Sequence, residues 1–243
     1  MISDTGISGF FFGIINELVR QFEITFIVSS RYKLFISGFR NTMVIAVFAL
    51  IVGVTIGVIV AVIKVYNYRT GRLKLLNQIA VLYTTVFRGT PIVVQLMIWY
   101  YLILISIHNA VIVAIIGFGL NSGAYVAEIV RAGIMSIDKG QSEAGRSLGL
   151  TESMTMRHIV LPQAIKNTLP ALFNEFITLL KETSVAGYIT VIELTKAADL
   201  VRSRTLQPFF SLISVAIVYL ILVVGLTALQ GKLERRLQKS DRR

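Results

Sequence analysis

Three runs of the chain carry no charged residue, Met43 to Ile63, Gly89 to Ala127 and Thr205 to Gly231. Each is longer than the ~18 to 20 residues that cross a bilayer as helix, and the middle one is long enough for more than one crossing. Polar clusters divide the sequence into about five predicted spans, at 42–64, 78–105, 110–134, 170–194 and 208–231. Asn41 is placed to cap the first. Within that span Ala49, Gly53, Gly57 and Ala61 set a small residue at every fourth position. Such a stripe lets another helix, from this chain or a second copy, approach backbone to backbone. Arg88-Gly89-Thr90-Pro91 interrupts the second span, and a kink or break near mid-membrane is expected there.

Ahead of the first span, residues 10–23 alternate Phe11, Ile15, Leu18 and Phe22 with Asn16, Glu17, Arg20 and Gln21. That segment is too short to span, and its two faces predict an interfacial helix lying on the membrane. Segment 1–34 is expected outside the cytoplasm, 35–235 as the transmembrane domain, and 236–243 as a basic tail. If the C-terminus is inside, the cytoplasm receives 14 Lys and Arg from loop 64–74, stretch 136–168 and the tail, against seven outside. The bias predicts an all-α membrane protein with its N-terminus outside and its C-terminus cytoplasmic.

Composition agrees with that pattern. Mean hydropathy is +0.74 and only 15% of residues are charged, against about 25% in an average soluble domain. The net charge of +11 comes without aromatics interleaved among the basic residues, so it reads as cytoplasmic loops and not as a nucleic-acid surface. The absence of cysteine excludes thiolate metal and iron–sulfur ligation by this chain, and two histidines, His108 and His158, make a metal site an unfavoured reading. Met1-Ile2-Ser3-Asp4 lacks the basic start of a cleaved signal.

The stretch 136–168 carries the most chemistry. Glu143, Ala144 and Gly145 open a short helix, Gly149 stands where a C-terminal cap wants left-handed backbone, and Thr151 is placed to cap a second helix. That second helix is expected to end before Pro162. The result is a small cytoplasmic helix–turn–helix shaped to fit a groove in another protein. Glu143-Ala144-Gly145, then Gly149 and Leu150, then Ile159, Leu161 and Pro162, resembles the EAA loop of ABC-importer permeases, with Gly145 for the second alanine. Phe87-Arg88-Gly89-Thr90-Pro91 with Gln95-Leu96, Ala124-Tyr125 with Glu128-Ile129 and Arg131, Gly140-Gln141, and Lys181-Glu182-Thr183-Ser184 are similar to polar amino-acid permeases of the histidine/glutamine type. The resemblance covers roughly 35–235.

This resemblance implies a type I importer subunit in a prokaryotic inner membrane. Two permeases, identical or paralogous, would form an alternating-access pathway above two ATPase subunits, fed with a polar amino acid by an extracytoplasmic binding protein. No G-x-x-x-x-G-K-[ST] phosphate loop occurs in the chain, so ATP and Mg would be used by the partner ATPase, with no cofactor and no enzyme activity here. Loop residues 143–162 would act as a rigid peg on that ATPase.

Polar residues inside the predicted spans are candidates for the pathway. Counting from the span centres, Asn121, Ser122 and Tyr125 lie level with Lys181, Glu182, Thr183 and Ser184, and together could line a cavity for a zwitterionic solute. The alternative is that Lys181 and Glu182 satisfy partners on neighbouring spans and never meet substrate. Glu128 and Arg131, three apart on one helical face, read as a structural pair shared with Arg88. Two rival functions stay open: the same mechanism with another small polar metabolite, or a passive channel or scaffold whose loop binds a partner that is not an ATPase.

Overall fold

The computed structural model describes residues 4–241, with side chains from Phe12 to Leu237. The ends of the proposed N-terminal segment and of the basic tail lie outside these. Every regular element among the described residues is helical: α1 Asp4–Phe22, α2 Tyr32–Thr70, α3 Lys74–Gly89, α4 Ile92–Ile98, α5 Ala110–Met135, α6 Lys139–Ser147, α7 Glu152–Thr155, α8 Leu161–Glu182, α9 Leu194–Thr205 and α10 Pro208–Asp241. Among the described residues α2, α5 and α10 are long and apolar enough to cross a membrane, and α3 with α4 makes a fourth crossing if the bent pair is one span. The remaining predicted span, 170–194, corresponds to α8, which carries Lys166, Glu175, Lys181 and Glu182 and is less apolar.

At 39 residues, α2 reaches about 58 Å, longer than the whole bilayer with its headgroups. It starts well before the expected residue 42. Asn41 therefore lies inside the helix and caps nothing there; its Nδ2 donates instead to the Ile192 carbonyl at 2.9 Å. The small-residue stripe of α2 is buried inside this chain, against α5. A Cβ placed on Gly57 would stand 2.6 Å from the Val126 side chain and 2.9 Å from the Gly123 carbonyl oxygen; one on Gly53 would stand 3.0 Å from Ser122. α5 is consequently buried over most of its length, whereas little of α10 is fully buried.

The break at 88–91 is sharper than a kink, since α3 and α4 meet at 109°. Thr90 and Pro91 are extended, which strips α3 of its last hydrogen-bond partners. Carbonyls freed inside a membrane must find donors. Gln95 Nε2 supplies them, donating to Phe87 O at 2.9 Å and to Thr90 O and Oγ1 at 3.1 and 2.7 Å. Asn121 of α5 adds bonds to Phe87 O and Gln95 Oε1, both at 3.0 Å.

At the other joint α8 is displaced from its expected place. It begins at Leu161 and ends at Glu182, and residues 183–189 form a tight 3₁₀ turn, so the expected span 170–194 is shifted by about three turns. Glu193 then caps α9, accepting the Thr195 and Lys196 N–H groups at 2.6 Å each, while Leu194 N–H donates to Thr42 Oγ1 of α2 at 3.2 Å. Ahead of α2, α1 is helical and exposes Phe12, Ile15, Leu18 and Phe22. Glu17 pairs with Arg20 at 2.7 Å on the polar face, and Phe22 meets Phe210 of α10 edge-on at 6.1 Å.

One outcome follows from this packing. Gly57→Leu should lower the thermal stability of the detergent-solubilised protein by about 1 to 3 kcal/mol through overpacking, whereas Gly225→Leu, where a Cβ meets open space, should leave it unchanged.

Candidate functional site

The loop between α5 and α8 is built from two short helices locked at right of entry and exit by their own caps. Asp138 Oδ1 accepts the Gly140 N–H at 2.6 Å to start α6. Gly149 ends it with φ at +81°, and Leu150 N–H returns to Gly145 O at 3.1 Å. Thr151 Oγ1 accepts from Met154 N–H at 3.3 Å and starts α7. Gly145 is buried where α6 crosses this second helix; a Cβ there would meet Thr155 at 2.8 Å and Ile159 at 3.0 Å. A small residue at 145 is thus a condition of the crossing. Glu143, Ala144 and Leu148 remain exposed on the outer face of α6, and Leu148 is 80% exposed, an apolar side chain in a polar loop.

Pro162 does not end the second helix. Residues 152–182 run on as one helical rod, with a widened π turn at Met156–Val160 immediately before the proline. Proline lacks an N–H but is tolerated in a first turn, and the wide turn absorbs its ring. Val160 and Ala164 pack with Val65 of α2 and Ile134 of α5. The loop is therefore seated on the ends of the two central helices.

Deeper in the bundle, the polar residues divide differently from their expected depths. Ser122 Oγ donates to Glu175 Oε1 at 2.9 Å, so α5 meets α8 at Glu175 and not at 181–184, because α8 begins nearer the loop than its hydropathy suggested. Asn121 is buried and committed to the α3–α4 break. Tyr125, one turn from Ser122 on α5, carries the Arg88 guanidinium 5.3 Å from its ring centroid. Glu182 is half-buried, two turns beyond Glu175 along α8, as is Ser184; Thr183 is buried and donates to Leu180 O at 2.7 Å; Lys181 is exposed. Ser122, Tyr125, Arg88 and Glu175 thus form one strip along α5, with a cation at one end and a carboxylate at the other.

The chain matches the family described as binding-protein-dependent transport system inner membrane components over residues 53–239. It belongs to that family. A Rickettsia bellii protein whose provisional name is glutamine transport system permease protein is 40% identical over 220 residues, 89% of this chain and 99% of that one. The arginine transport system permease protein of Bacillus subtilis is 38% identical, over 85% and 93% of the two chains. A chain from the crystal structure of an amino acid ABC transporter with histidines superposes with a TM-score of 0.79 at 40% identity, covering 87% of this chain and 98% of that one. A chain of the inward-facing MetNI methionine ABC transporter has the same fold, with a TM-score of 0.71 at 21% identity.

This transport component also holds an ion cluster at the loop end of its core. Glu128 pairs with Lys64 of α2 through one oxygen and with Arg131 through the other, at 2.9 Å. Arg88 is not its partner, being stacked on Tyr125. Lys64 is reached because α2 stays helical to Thr70, so this lysine belongs to the core and not to a basic loop; Thr84 Oγ1 of α3 also accepts from it at 3.2 Å. Glu175, Glu193 and the partnerships of Gln95 and Lys64 escaped the sequence reading. Their shared signal is a lone polar residue inside an apolar run. Replacing Glu128 with Gln strands two cations, one of them Lys64 with 12% exposure, and should cost about 2 to 3 kcal/mol, with most of it restored by adding Lys64→Met. Thermal unfolding of the two single variants and the double variant checks this.

Proposed function

We propose that the chain is the pathway-forming subunit of an ATP-driven importer for polar amino acids in a prokaryotic inner membrane. The observation that carries the mechanism is the continuity of the loop with the core. α7, the π turn and α8 are one rod, and its foot is packed on α2 and α5. A push on the outer face of α6, where Glu143, Ala144 and Leu148 are exposed, is therefore delivered along a continuous helical path, through the π turn and past Pro170, to α8 and its Glu175. Two ATPase subunits, using ATP and Mg, would supply that push from the cytoplasm. A second copy or a paralogue would complete the pathway, and an extracytoplasmic binding protein would deliver substrate. In this arrangement the N-terminus is outside, with α1 lying at the outer interface, and the C-terminal tail is cytoplasmic.

The amino-acid assignment is supported by the strip on α5. A guanidinium at Tyr125 and a carboxylate at Ser122 match the opposite charges of a zwitterion. The named relatives, for glutamine and arginine, and the structure with histidines point to polar side chains.

The test is ATP-dependent uptake by proteoliposomes holding the full complex, offered glutamine, arginine and histidine in turn. Gly149→Asp should fold, because aspartate tolerates left-handed backbone, and should lower uptake by about tenfold or more, a loss of ~1.4 kcal/mol of coupling. Uptake at the wild-type rate by that variant would overturn the coupling role. Failure of every polar amino acid, with transport of another metabolite, would overturn the substrate class.

A further inference from the structure

A groove of about 700 Å³ opens between the loop-side end of α2 and the second loop helix. Its floor is apolar, formed by Val62, Val65, Ile134, Met156 and Leu161, and its rim carries Arg69 and Arg72, with Glu152 the one acidic group among its lining residues. Both arginines are exposed. The groove continues along α2 into the outward stripe Ile51, Val58 and Val62, each at least 40% exposed and spaced to lie on one helical face. Arg69 stands about 24 Å along the axis from residue 53, the middle of the expected span 42–64, near the outer limit of the headgroup region of a bilayer about 40 to 45 Å thick. Tyr66 and Tyr68, exposed beside the rim, are the aromatic residues expected at that boundary.

We propose that this groove binds an anionic phospholipid of the cytoplasmic leaflet. The phosphodiester is held by Arg69 and Arg72, which remain net positive after Glu152 is counted. An acyl chain lies on Val62 and follows the α2 stripe into the bilayer. A protein segment would match the arginines equally well, but it would not account for an apolar floor that runs on into the membrane-facing side of α2. The bound lipid would bridge α2 to the second loop helix through Met156 and Leu161. The inference rests on the cytoplasmic placement of the loop, as in the function proposed above.

The complex is purified in detergent with its ATPase and titrated with phosphatidylglycerol or phosphatidylcholine, and bound lipid is counted by native mass spectrometry. Wild type should hold phosphatidylglycerol about tenfold more tightly than phosphatidylcholine. Arg69→Gln with Arg72→Gln should reduce that preference to within about twofold, and Val62→Trp, which fills the floor, should weaken both lipids. Equal binding of the two lipids by wild type would overturn the inference, as would a preference that survives the double substitution. Loss of the ATPase from the double variant, with lipid preference unchanged, would reassign the groove to a protein interface. A permease that purifies without any ATPase yet keeps an arginine-dependent preference would support the lipid site and overturn the coupling reading.

Discussion

The contact between α2 and α5 is the constraint on which the rest of the molecule depends. Without a hydrophobic drive between helices in lipid, two spans hold together by close packing, and here closeness is set by the glycines and alanines of α2 meeting those of α5. Once these axes are drawn together, the other features have fixed places. Lys64 and Glu128 come within reach across the interface. Val65 and Ile134 present a joint seat for the loop. Ser122, on the edge of the interface, is directed to α8. A wider spacing would leave the ion cluster unpaired and the loop without a foundation.

The α3–α4 break is the second organising element, and it is satisfied from inside. A sharp turn of backbone at membrane depth exposes carbonyls that lipid cannot solvate. Gln95 folds back onto the turn that precedes it, and Asn121 reaches in from α5, so the irregular segment is tied to the most buried helix in the protein. Asn121 is thereby engaged in architecture. The polar contacts that lie outside the break are Tyr125, with Arg88 over it, and Ser122 with Glu175.

Much of this could be read from the sequence, for identifiable reasons. The small-residue stripe, the break at Pro91 and the caps Asp138 and Thr151 depend on spacing within a few residues, and local rules govern them; Asp138 alone was not singled out. The loop from Glu143 to Pro162 was legible because its turn needs a left-handed residue at one place, Gly149. What hydropathy could not supply was where a polar helix begins. α8 carries four charges and starts inside the loop, so its depth was misjudged and Ser122 was set opposite the wrong residues. Likewise, no local signal announces that Lys64 is helical and turned inward, or that Glu193 is buried beneath α9; both depend on contacts between segments far apart in the chain.

The widened turn at Met156–Val160 has a consequence for phase. A π turn takes up one more residue than an α turn, and one residue corresponds to about 100° of rotation about a helix axis. The turn therefore sets the azimuth of α8 relative to the loop: with it, Glu175 points at Ser122; without it, the same side chain would sweep roughly a quarter of a revolution away. The loop and α8 are joined like a key and its bit, where the angle at which one is cut on the shaft decides what the other can turn.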